Sequence, residues 1–122
     1  MPKPETIEQF IAMVESNEHD KAIEKFYTID ASMQENQAEP RVGRDNLVAN
    51  EKNTLLKVES LVSKCIRPYF MNGDQVVIRW YFRFEWKNGS ISEIEEIAYQ
   101  NWQEELIKSE KFFYDPKQFT TI

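Results

Sequence analysis

The sequence predicts an α+β fold in which helices lie over one face of a curved antiparallel sheet. Three observations carry that expectation. Apolar residues recur with a helical period through most of the first sixty positions, and the period changes to 2 from about Leu61. Two Asn-Gly pairs, Asn72-Gly73 and Asn88-Gly89, then punctuate the alternating part where hairpins turn.

The first helix is marked by Ile7, Phe10, Ile11 and Val14 at i, i+3, i+4 and i+7, with Pro4 at its start and Thr6 to Gln9 spaced as a capping box. It should end near Ser16. Asn17 is placed to cap a second helix whose stripe is Ala22, Ile23, Phe26 and Tyr27, with Asp20 in its first turn. "TIDASMQ" reads as a short strand and "NQAEPRVG" as a loop. A third helix from Arg44 or Asp45 carries Leu47, Val48, Leu55 and Val58.

The alternating half is built around one long strand. Val76, Ile78, Trp80, Phe82, Phe84 and Trp86 share one face, and Val77, Arg79, Tyr81, Arg83, Glu85 and Lys87 share the other. In the next strand, Ile91 to Trp102, the isoleucines Ile91, Ile94 and Ile97 are spaced by three, which predicts a β-bulge near Glu95 and Glu96. A turn at Gln103 to Glu105 returns the chain through "LIKSEKFFYD", leaving residues 117–122 as a short tail.

With 122 residues the chain is expected to be a single domain, 1–122. Hydrophobic residues make up 41% and charged residues 30%, and no apolar run approaches the ~20 residues of a membrane helix, so no membrane partner is expected. No signal-like stretch follows "MPKPETIEQF", and the single cysteine, Cys65, suits core packing in a reducing compartment; both point to the cytoplasm. A net charge of -6 opposes binding to a phosphate backbone, so no nucleic acid is expected.

Few constellations carry chemistry. One histidine, His19, and one distant cysteine make no metal site, and three glycines leave no phosphate-cradling loop, so neither metal nor cofactor is expected. His19 reads as a solvated or capping residue in a first helical turn. The acidic run "SEIEEI" reads as a solvated face pairing with Arg79 and Arg83 across the hairpin. The aromatics, 13% of residues, have two readings: Phe10, Phe26, Trp80, Phe82, Phe84, Trp86 and Phe113 either line a site for a flat hydrophobic ligand or simply fill the core.

The helical hairpin ending in "FYTIDASM", the loop-to-helix passage "GRDNL", the turn "WKNGSI" and the terminal strand "SEKFFYDP" follow one another as in a known family. From about Glu5 to Pro116 the chain resembles the nuclear transport factor 2-like superfamily, in particular its SnoaL-like branch. The resemblance implies a cystatin-like α+β roll: a bent sheet wraps the helices as a cone with an apolar pocket at one end. Lining residues would be Phe10, Val14, Phe26, Met33, Trp80, Phe82, Tyr99 and Phe113, and the ligand a small hydrophobic molecule. It also implies a homodimer through the outer sheet face, where Arg79, Tyr81 and Arg83 stand.

Three chemistries found on that fold are implied to different degrees. In ketosteroid isomerases a carboxylate on the short strand is the general base, and Glu35 holds that place. The tyrosine donor of those enzymes falls on Ile11 and the acidic donor near Ala98, so Tyr27 and Tyr99 are the remaining candidates to stabilise an oxyanion. The inward arginine and aspartates of limonene epoxide hydrolases have no counterpart, since Trp80, Phe82 and Phe84 occupy those positions. Polyketide cyclases use an aspartate with histidine, for which Asp30 and Asp115 are the available acids. The reading is a pocket protein of unassigned activity, with two alternatives: proton transfer next to a carbonyl with Glu35 as base, and a dimeric protein-interaction module.

Overall fold

The computed structural model describes residues 1–119. The first helix, α1 (Pro4–Glu15), buries Ile7, Phe10, Ile11 and Val14, the residues its period selects. Its capping box does not form. Pro4 starts the helix at its first turn behind Lys3, and the Thr6 hydroxyl instead donates to Glu105 in a distant turn, as does the Lys3 N–H at 3.0 Å.

Asn17 does not cap the second helix either. It adopts a left-handed conformation (φ 66°) that closes the first helix, and its side chain bonds the Leu61 carbonyl and the Ser63 hydroxyl. Helix α2 (His19–Phe26) follows, and Tyr27 is the first residue of strand β1 (Tyr27–Glu35), not the last of the helix. A two-residue strand, β2 (Arg41–Val42), lies within the expected loop. Gly43, at φ 99°, turns the chain into α3 (Arg44–Leu55), which buries Leu47 and Val48; Val58 already belongs to the next strand.

Four long strands complete the chain: β3 (Val58–Asn72), β4 (Gln75–Trp86), β5 (Ile91–Gln103) and β6 (Leu106–Phe113). They form an antiparallel meander, and the six strands order as β2-β1-β6-β5-β4-β3. The pairing of β1 with β6 is parallel, so the first half of the chain closes onto the last strand. Residues 117–119 of the expected tail belong to a 3₁₀ turn, Pro116–Phe119, whose Gln118 accepts from the Glu95 N–H and donates to its carbonyl; the rest of that tail lies outside the described residues.

The bulge expected near Glu95 and Glu96 is absent. β4 and β5 pair without interruption from Gln75↔Asn101 to Glu85↔Ile91, so strict alternation governs β5. Ser92, Ile94, Ala98, Gln100 and Trp102 are buried on the inner face, while Ile91 and Ile97 are exposed. The register breaks fall elsewhere: between Val58 and Ser60 and between Ile66 and Phe70 against β4, between Asn101 and Trp102 against β6, and between Tyr27 and Ser32 of β1. Such breaks increase local twist and bend the sheet around the helices.

Candidate functional site

The inner face of β4 is a row of rings. Trp80 and Phe82 stack at 5.5 Å between centroids, Phe82 tilts against Phe84 at 6.1 Å, and Phe84 stacks on Trp86 at 5.0 Å. Phe10 of α1 stands edge-on to Trp80 and to Phe26. The helices do not fill the space above this row. A cavity of about 350 Å³ remains, walled by the β4 rings with Phe10, Val14, Met33 and Phe112.

Polar groups reach the cavity from four directions. Glu110 of β6 is buried at 3% exposure and lies opposite Gln100 in the register. It accepts hydrogen bonds from the Tyr27 hydroxyl and from Gln100 Nε2 at 2.6 Å, and Gln100 in turn accepts from the Trp102 indole at 2.9 Å. Burial pushes the Glu110 carboxyl up to about 7, although both hydrogen bonds pull it the other way. The same burial and the adjacent Glu110 charge hold the Tyr27 hydroxyl well above its ordinary range.

Glu96 of β5 lies opposite Trp80 and opens onto the cavity. Its carboxyl is pushed up to about 8, first by burial and then by the charges of Glu110, Glu35 and Glu51. At the mouth, Glu35 pairs with Arg41 at 3.2 Å, both half exposed. Burial and the nearby Glu35 raise the Tyr114 hydroxyl to about 12. On the helical side His19 is held between the Ser63 hydroxyl (2.8 Å from Nε2) and Glu51 (3.3 Å from Nδ1), with its ring 5.2 Å from Phe82. His19 is thus a wall residue, not the solvated one expected.

Of the residues singled out in the sequence, the fold brings Phe10, Val14, Tyr27, Met33, Glu35, Trp80 and Phe82 to the cavity. Three others stand elsewhere. Phe26 is buried in the core behind Phe10. Tyr99, between inward Ala98 and Gln100, lies on the outer face opposite Val77 and Lys111, which removes it as an oxyanion donor. Phe113 is also outside, 42% exposed, with Lys111 Nζ over its ring at 5.0 Å.

Two cavity acids went unrecognised in the sequence. Glu96 shares parity with Ile94, Ala98 and Trp102, and only the expected bulge hid that signal. Glu110 had none that alternation supplies, because its strand is shifted by the break at Asn101 and Trp102. Arg79, Tyr81 and Arg83 do lie on the outer face: Arg79 pairs with Glu95 at 2.6 Å, Tyr81 donates to Glu93 at 3.1 Å, and Arg83 sits 3.9 Å from Glu93. Cys65 is buried opposite Trp80, and burial pushes its thiol up, away from nucleophilic reactivity. Among the described residues no three metal-ligating side chains converge, and no helix is long and apolar enough to cross a membrane.

This architecture, three helices wrapped by a bent six-stranded sheet that stays open around a cavity, is the nuclear transport factor 2-like fold. The sequence matches no family model and no curated protein. Solved structures are similar in fold. A candidate SnoaL-like polyketide cyclase from Mesorhizobium loti superposes with a TM-score of 0.75 at 20% identity, over 90% of this chain and 97% of that one. A protein of ketosteroid isomerase-like fold from Catenulispora acidiphila, solved with trimethylamine, gives 0.79 at 16% identity over 95% and 89%. An epoxide hydrolase of the limonene epoxide hydrolase-like type from M. tuberculosis gives 0.77 at 11% identity over 95% and 84%.

Proposed function

We propose that this chain is a single-domain binding protein that takes a small, largely apolar molecule into the cone. One observation carries the reading: the aromatic inner face of β4 borders a cavity of about 350 Å³ instead of a filled core. That volume and an apolar wall bearing a few placed polar groups are what small-ligand sites have in common. The fold's occurrence in proteins named as a polyketide cyclase and an epoxide hydrolase supports a small-molecule ligand. Titrating aromatic fragments while following tryptophan fluorescence tests it: saturable quenching that Phe84→Ala weakens supports the reading, and no saturable response across a broad fragment set refutes it.

A second reading is proton transfer next to a carbonyl, with Glu35 as base. It draws on Glu35 lining the cavity, with Tyr27 and the inward Glu96 as the acidic groups nearer its floor. Tyr27 already donates to Glu110, which leaves Glu96 as the free group. Incubation with an enolisable ketone in deuterated water decides it: exchange must occur and must fall with Glu35→Gln.

The proposed protein works as a homodimer in the cytoplasm. Supporting the dimer, Ile97 and Phe70 are exposed on the two strands flanking Arg79, Tyr81 and Arg83, and Phe113 is exposed on the next strand, opposite Ile97.

A further inference from the structure

We infer that the cavity is built for a small organic cation, an ammonium-bearing molecule whose charged head meets Glu96 and whose apolar remainder lies along Trp80, Phe82 and Phe84. The inference rests on the reading that the cavity takes a small molecule. It narrows that reading to one chemical class.

Three features of the interior argue for it. Glu110 is already satisfied by Tyr27 and Gln100, and Glu51 by His19, whereas the Glu96 carboxyl has no hydrogen-bond or ion-pair partner among the described residues. The side chain is partly buried and borders the cavity, so its carboxyl is open to a group that enters from there. Second, its cross-strand neighbour is Trp80, and the surrounding rings take several orientations: Phe10 at 77° to Trp80, and Phe84 at 45° to Phe82. These rings, with the stacked pairs Trp80–Phe82 and Phe84–Trp86, line the cavity, and an aromatic ring attracts a cation over its face. Third, the positive side chains lining the cavity stand at its exposed mouth: Arg41, tied to Glu35, and Lys57. The titratable groups close to Glu96 are the carboxyls Glu110, Glu35 and Glu51 and the hydroxyls of Tyr27 and Tyr114, none of them a cation.

A proton now occupies Glu96 up to about pH 8, so a bound cation must displace it. Affinity for the cation therefore rises with pH, by up to tenfold per unit, and levels off above about 8. A neutral ligand shows no such slope.

The test compares phenyltrimethylammonium with its uncharged isostere tert-butylbenzene and with acetophenone, by calorimetry or tryptophan fluorescence from pH 6 to 9. The expected result is at least tenfold tighter binding of the cation at pH 8.5, with the pH slope just described, and loss of both in Glu96→Gln. Equal or tighter binding of tert-butylbenzene or acetophenone overturns the cation while leaving the apolar-pocket reading intact. No binding by any of the three refutes both. Should Glu96→Gln fail to fold, the slope on the unaltered protein decides: cation affinity constant from pH 6 to 9 overturns the inference.

Discussion

Glu96 lies directly opposite Trp80 in the β4–β5 register, on the same inner face of the sheet. The outward glutamates of that acidic stretch, Glu93 and Glu95, each pair with a residue of β4 in solvent. One carboxyl of the run is thereby separated from its fellows by alternation alone and placed against an indole.

Stability should fall as pH rises from about 5 to 8. An unfolded glutamate titrates near 4.5, whereas the folded protein holds Glu110 up to about 7 and Glu96 up to about 8. Between those values the unfolded chain binds fewer protons than the folded one, so each group lowers stability by up to about 1.4 kcal/mol per pH unit. Urea midpoints measured across pH 5 to 9 should decline and then flatten. Glu96→Gln and Glu110→Gln should each reduce the slope; midpoints that climb over the same range would contradict the buried acids.

Removing one oxygen should expose how the cone floor is held. Tyr27→Phe leaves Glu110 with only Gln100 as donor, and losing a hydrogen bond to a buried acid costs roughly 1–3 kcal/mol. Tyr99→Phe, on the outer face, should cost less than about 0.5 kcal/mol. Denaturant unfolding of both variants measures this, and equal effects would argue against the Tyr27–Glu110 contact.

The row of rings and the inward parity of Trp80 and Phe82 were legible because nothing interrupts alternation in β4. Tyr99 was not, and the reason is local. Isoleucines spaced by three suggest a bulge, a bulge reverses parity beyond it, and reversed parity turns Tyr99 inward and Glu96 outward. The actual strand leaves Ile91 and Ile97 exposed instead, an arrangement an apolar interface would explain but no periodicity can announce. The parallel pairing of β1 with β6 joins segments some eighty residues apart, which no short-range pattern encodes. His19 is held by Ser63 and Glu51, partners likewise far along the chain.

The outer face offers its own check. Ile97→Glu places a charge among Arg79, Glu95 and Phe113 without touching the core, so the fold should persist while a dimer separates. Sedimentation should show dimers for the unaltered protein and monomers for the variant. Monomers in both would remove the proposed interface.

Most direct of all is a two-dimensional NMR titration with phenyltrimethylammonium at pH 8.5, read at the three indole N–H signals. Trp80 and Trp86 line the cavity, whereas Trp102 is buried beyond it with its N–H bonded to Gln100. Saturable shifts of the Trp80 and Trp86 signals, with Trp102 nearly still, are the predicted result. Shifts confined to outer-face amides such as those of Arg79 and Ile97, or none at all, would contradict a ligand seated inside the cone.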